Sequence, residues 1–155
     1  MIDPDNVRQW SGAVTPASAH ELADRLAVSQ LVKVYALGVD MRDTELAVSP
    51  FAPGAVVEGN LGTFPASEYV PNACAGAAAF SSTQHNITNQ HVTIDGDDAL
   101  VWSYAIAYHM WERPELGEDL IMGVQYRDTC RRVDGSWQIV HRKVANQWKK
   151  GPMPG

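Results

Sequence analysis

The sequence predicts an α+β fold: a cone-shaped, highly curved and mostly antiparallel sheet covered by N-terminal helices. Three observations lead there. Apolar residues recur at helical spacing in the first half and alternate in the second, and Asp95-Gly96 and Asp134-Gly135 punctuate the second half as hairpin turns do. Helices first and a meander afterwards is the α+β pattern, and a sheet covered on one side closes readily into a cone with an open end.

The elements follow in order. Residues 1–17 contain Pro4, Gly12 and Pro16 without any period and are expected to form an arm, with Trp10 docked on the body or on a neighbouring subunit. The domain is expected over 18–148, followed by a tail over 149–155. Ser18-Ala19-His20-Glu21 has the form of a capping box. Val28, Leu31, Val32 and Tyr35 then share one face and Leu22 and Leu26 widen it, so the spacing predicts a helix over about 19–40. A short helix over about 43–49 stops at Pro50, and Ala55–Gly59 is a strand. The Ala-rich stretch 66–80 predicts a helix in which Pro71 marks a break or a restart. Strands are expected at 88–94, 99–112, 119–132 and 136–148.

Composition removes several classes of function. With 12 Lys+Arg against 18 Asp+Glu the chain carries a formal charge of −6, which repels phosphates and argues against nucleic acid. No segment approaches the roughly 18 apolar residues of a membrane span. The opening Met1-Ile2-Asp3-Pro4-Asp5 has neither the basic nor the apolar region of a signal peptide, and two cysteines, Cys74 and Cys130, make no disulfide framework, so a cytoplasmic location is expected. Five histidines are present without HxH, HxxxH or HExxH spacing, so no metal site is expected. No glycine-rich phosphate loop and no GxSxG elbow occurs either, so no cofactor is expected.

Alternation assigns faces to the strands. Trp102, Tyr104, Ile106, Tyr108 and Met110 share one face of the second long strand, and Leu120, Met122, Val124 and Tyr126 one face of the third. Val140, Arg142, Val144 and Asn146 share a face of the fourth, and all three sets are expected to point inward. A glycine bulge at Gly135, pairing 132 with 136, is expected to place Tyr126 opposite Arg142. Arg142 then lies on an apolar face, where an unpartnered guanidinium is too costly to persist. Two readings stand side by side: an ion pair with Asp128 or a helix carboxylate, or an anion clamp in a cavity.

Proton chemistry without a cofactor remains. His85 lies where the chain enters the sheet and Asp40 at the end of the first helix. A carboxylate holding an imidazole fixes its tautomer and raises its basicity, which suits a base working near neutral pH. Tyr35 shares a cavity with Asp40 only if Asp40 sits at the helix end, because five residues turn the helix through about 140°.

The order of these motifs resembles the SnoaL-like members of the nuclear transport factor-like superfamily, cystatin-like α+β cones. The resemblance spans about 18–148. It is carried by Tyr35 and Asp40 within the run ending Leu37-Gly38-Val39-Asp40-Met41-Arg42, by Thr83-Gln84-His85-Asn86, by Gly123–Asp128 and by Asp134–Arg142. Asp40 with His85 matches the dyad of the dehydratase and dehydrochlorinase branch, which includes scytalone dehydratase, bile-acid dehydratase and hexachlorocyclohexane dehydrochlorinase. Ketosteroid isomerase, with its carboxylate base, fits less well. Scytalone dehydratase also carries a second pocket histidine on a strand, whereas His109 is expected here on the outward face.

The resemblance implies a cofactor-independent lyase, a dehydratase-type β-elimination. His85 would be the base, Asp40 its orienting partner, Tyr35 a hydrogen-bond donor to a leaving or carbonyl oxygen, and Arg142 the group that stabilises negative charge. The expected wall of Trp102, Tyr104, Tyr108, Met122, Val124, Tyr126, Val144 and Asn146 suits a hydrophobic, ring-containing substrate. An isomerase or polyketide-cyclase-type enzyme in the same pocket, or a non-catalytic ligand-binding or scaffold module, are the alternatives. A homodimer or homotrimer is expected, with Val101, Ala105 and Ala107 as candidate interface residues.

Overall fold

The structure is a computed structural model and describes residues 2–153. Helix α1 (Ala19–Asp40) and the short α2 (Thr44–Val48) precede strand β1 (Phe51–Gly59). A short strand β2 (Gly62–Pro65) and helix α3 (Ala66–Ala78) follow. Four long strands complete the chain: β3 (Ser82–Asp95), β4 (Asp98–Met110), β5 (Leu120–Val133) and β6 (Ser136–Lys150). They form one sheet in the order β2-β1-β6-β5-β4-β3, antiparallel except where β1 runs parallel to β6. This is the expected α+β architecture, with helices on the concave side of a curved sheet.

Half of the capping box forms. The Ser18 hydroxyl accepts from the Glu21 amide at 3.1 Å, while the Glu21 carboxylate turns to Arg25 instead of reaching back. Helix α1 buries Val28, Val32, Tyr35 and Val39 along one stripe, but Leu22 and Leu26 are exposed and do not widen it. Its end is a Schellman-type turn: the Asp43 amide donates to Gly38 O at 2.8 Å, with Arg42 in the left-handed region at φ 61°. Gly38 is required there, because a Cβ would lie 2.3 Å from the Ala47 backbone nitrogen. Gly38→Ala is therefore expected to push α2 off α1 and cost about 1–3 kcal/mol. A thermal melt should show a fall in Tm of about 2–4 °C for each kcal/mol; an unchanged Tm would contradict the close approach.

Several expectations are corrected. Pro71 does not break α3, which runs through it. The missing amide falls opposite exposed Ser67, where water can serve the free carbonyl. Asn60-Leu61 turns β1 into β2, a strand the sequence reading missed. Lys149 and Lys150 of the expected tail belong to β6, while Met1, Pro154 and Gly155 lie outside the described residues.

The Asp134-Gly135 turn is a plain two-residue turn pairing Val133 with Ser136, and the extra residue enters further along, at Val140 of β6, opposite the step from Thr129 to Cys130. Asp128 thus lies opposite Arg142 and Tyr126 opposite Val144. Tyr126 and Arg142 do share the inner face, but because of this displaced bulge and not a bulge at Gly135.

Strand β4 is turned over relative to expectation. Its inward residues are Ala99, Val101, Ser103, Ala105, Ala107 and His109, paired across β5 with inward-facing Met122, Val124 and Tyr126. The helices press close on this side, so small side chains fit there: Ala99, Ser103, Ala105 and Ala107 are nearly or fully buried. Trp102, Tyr104 and Tyr108 lie on the outer face, and Val101, Ala105 and Ala107 are interior residues, not an interface. Trp102 is covered by the arm: the Trp10 ring lies 5.8 Å from it, edge on, and Asp5 accepts from the Arg127 guanidinium at 2.7 Å.

Candidate functional site

Asp40 closes α1 and His85 lies early on β3, and the two meet at the mouth of the cone. The Asp40 carboxylate accepts three hydrogen bonds: from the His85 Nδ1–H at 2.7 Å, from the His85 amide at 2.8 Å and from the Thr83 hydroxyl at 3.0 Å. A carboxylate at a helix C-terminus faces the negative end of the helix dipole, so these partners matter. Burial pushes the Asp40 carboxyl up, but the hydrogen bonds from His85 and Thr83 outweigh it and hold it below the ordinary carboxylate value. Because the carboxylate can only accept, Nδ1 of His85 carries the proton, and Nε2 is left with a lone pair.

His85 opens onto a cavity of about 820 Å³ between the sheet, α1 and α3. Of the residues expected from the sequence, Tyr35, Met122, Val124, Tyr126, Val144 and Asn146 line it, as His85 does. Trp102, Tyr104 and Tyr108 do not, since they face the other way. Trp148, half exposed, lies at the rim, its indole occupying the space that a Cβ on Gly123 would need.

Arg142 lies behind the wall. It is 1% exposed and donates from Nε and Nη2 to the two Asp128 oxygens, each at 2.7 Å. Burial opposes its charge, but Asp128 more than offsets that and holds the guanidinium above its ordinary value. Its carbon sits 4.4 Å from the Tyr35 ring centre, 4.6 Å from Tyr126 and 4.9 Å from Phe51. Of the two sequence readings, the ion pair with Asp128 is the one realised. The cation reaches the cavity only through the rings of Tyr35 and Tyr126. Burial raises both phenols, Tyr126 to about 12 and Tyr35 well above its usual value, so both remain neutral donors.

Leu120, expected on the inward face, lines the cavity as well, while sequence reasoning missed His109, Tyr69 and Phe80 on the cavity wall. For His109 the signal was its place two residues after Ala107, on the small-residue face that the helices cover. Its ring lies 5.6 Å from that of His85, edge to face, and its Nδ1–H donates to Leu120 O at 3.3 Å, so its Nε2 also offers a lone pair. Burial first, and His85 second, push His109 below the ordinary histidine value. The unfolded chain therefore binds this proton from about pH 6.5 downward while the folded protein binds it only at lower pH. Stability should fall as pH drops through that window, and Tm plotted against pH should be flatter for His109→Gln; a slope equal to that of wild type would contradict this.

The sequence matches the SnoaL-like domain over residues 20–143. The chain belongs to the SnoaL-like family. Solved structures agree on the fold. A scytalone-dehydratase-like protein from Novosphingobium aromaticivorans superposes with a TM-score of 0.76 at 22% identity, covering 87% of this chain and 91% of that one. A type 3 hexachlorocyclohexane dehydrochlorinase from Novosphingobium barchaimii gives a TM-score of 0.72 at 19% identity, with 85% and 92% covered. A protein from Kribbella flavida gives 0.74 at 23% identity, with 84% and 95% covered. Among curated protein sequences none matches. SnoaL-like relatives include small-molecule lyases and related enzymes, and the chain shares their architecture. Among the described residues no helix is long and apolar enough to cross a membrane, and no cluster of His, Cys, Asp and Glu could hold a metal ion.

Proposed function

We propose that the protein is a cofactor-independent lyase that carries out a dehydratase-type β-elimination on a hydrophobic cyclic or aromatic small molecule. The observation that carries this reading is the Asp40–His85 pair, bonded at 2.7 Å, whose free Nε2 faces an apolar cavity. His85 Nε2 takes a proton from the carbon next to the one bearing the leaving group, and Asp40 stabilises the imidazolium. Electrons left on the carbon form the new double bond as the leaving group departs. A departing hydroxyl takes the proton back from Nε2 and leaves as water, while a halide leaves without it. Where charge develops on a substrate oxygen, the hydroxyls of Tyr35 and Tyr126 are placed to donate to it, with Arg142 behind their rings. His109, held neutral, is an acceptor for a substrate hydroxyl. The proposal includes self-association as a homodimer or homotrimer and a reducing, cytoplasmic setting in which buried Cys74 and Cys130 remain thiols.

The test is turnover of ring compounds carrying a hydroxyl or halide β to an acidified C–H, with product masses read by mass spectrometry. Loss of water or hydrogen halide is expected. Conversion without a change of mass would favour the isomerase or cyclase reading, and binding without conversion a ligand-binding module.

A further inference from the structure

Two residues outside the cavity complete the arrangement around Asp40. The turn after α1 places Arg42 at φ 61°, a left-handed position where glycine is the ordinary occupant and a long side chain is disfavoured. Its guanidinium folds back over the end of the helix. Nη1 donates to Thr83 Oγ1 at 2.8 Å and to Val39 O at 3.2 Å, and Nη2 donates to Phe80 O at 3.2 Å. The Thr83 hydroxyl has one proton to give. Since it accepts from Arg42, that proton is directed at Asp40 Oδ1, the same oxygen that receives the His85 Nδ1–H.

We propose that Arg42 and Thr83 are positioning residues, a relay that fixes the Asp40 carboxylate and through it the ring orientation and tautomer of His85. The inference rests on the lyase reading for its purpose, though not for its geometry. An arginine where glycine suits the backbone is explained by what its side chain does: it ties the end of α1, Phe80 in the turn after α3 and the start of β3 together around one carboxylate. The relay also has a direction. Arg42 can only donate, so Thr83 must donate onward, and Asp40 is left accepting from Thr83 and from the backbone amide and ring Nδ1–H of His85. Apart from the flip that exchanges its two equivalent oxygens, no rotation of the carboxylate keeps all three bonds. The cation also lies at the helix terminus where the dipole favours positive charge. The charged or titratable neighbours of this relay are Asp43 and Cys74, beside Arg42, and His109, beside His85.

The test reads the tautomer of His85 directly, by ¹⁵N NMR of the ring nitrogens at neutral pH in the full chain. Wild type is expected to show the proton on Nδ1, slow to exchange with water. In Thr83→Val, close in shape to the native residue, that proton should exchange roughly two- to tenfold faster, the factor that one ordinary hydrogen bond sets, and the Nε2–H tautomer should gain population. Thr83→Ser should restore both readings. Arg42→Gly relieves the left-handed backbone and so separates the guanidinium from the turn; it should show the same change as Thr83→Val, with backbone amide shifts confirming an intact fold. Wild-type values in both Thr83→Val and Arg42→Gly would overturn the relay while leaving the lyase reading standing. A wild-type His85 without a proton on Nδ1 would overturn both.

Discussion

Asp128→Ala is expected to be among the most destabilising single substitutions in this chain. Arg142 is 1% exposed and its only hydrogen-bonding partner among the described residues is Asp128, which accepts from Nε and Nη2 at 2.7 Å each. Removing the carboxylate leaves a full positive charge in the core among Tyr35, Phe51 and Tyr126, shut off from bulk solvent. The rings supply only a minor part of that stabilisation. Breaking such a pair costs about 3–5 kcal/mol, a large fraction of the roughly 5–15 kcal/mol that holds a domain together. Urea denaturation should show the midpoint falling accordingly. The paired replacement Asp128→Leu with Arg142→Met removes both charges at similar volume and should recover most of the loss. Equal stability of Asp128→Ala and wild type would mean that Arg142 finds another partner.

Asp40→Asn should abolish turnover more thoroughly than its conservative appearance suggests. The His85 amide and Nδ1–H both donate to the Asp40 carboxylate. An asparagine offers one acceptor oxygen and one donor nitrogen. With the oxygen held by the backbone amide, its NH₂ meets Nδ1 and forces the proton onto Nε2, the atom that should act as base. The wrong tautomer, and not a lost charge alone, then removes the activity, by roughly 10³–10⁴ in kcat on the scale seen for such orienting carboxylates. Asp40→Ala, which imposes no tautomer, should retain as much activity as Asp40→Asn or more. The Tm should fall more in Asp40→Ala, which leaves the His85 amide and Nδ1–H without their acceptor, than in Asp40→Asn, so both are assayed well below their melting range.

The outline of the molecule was legible from the chain. The limits of α1, the two hairpin turns and the meander follow from spacing and from Asp-Gly pairs, signals that depend on a few neighbouring residues. The pairing of Asp40 with His85 was suggested by their chemistry and by a resemblance, and not by nearness in the chain, since 45 residues separate them. Faces of β4 were not legible, because alternation says which residues share a side and not which side is inward. The large aromatics suggested an inner wall, but helices packed against the sheet leave room there for Ala99, Ser103, Ala105 and Ala107, and the bulk goes outward. That single inversion also hid His109. Bulges are equally silent in the sequence: the extra residue at Val140, and not the expected one at Gly135, sets Arg142 beside Tyr126 and opposite Asp128. Arg142 attracted attention as a charge on an apolar face, and that remains its defining feature, answered by Asp128 from the neighbouring strand.

The role proposed for His85 Nε2, removal of a proton inside the cavity, is open to a single comparison. The kcat/KM of His85→Ala should be measured against wild type on a ring compound that loses water or hydrogen halide, with the Tm of both proteins and their affinity for the product determined in parallel. A fall of roughly 10²–10⁴ in kcat/KM is expected, with Tm and product affinity nearly unchanged. Elimination by His85→Ala at the wild-type rate would contradict it.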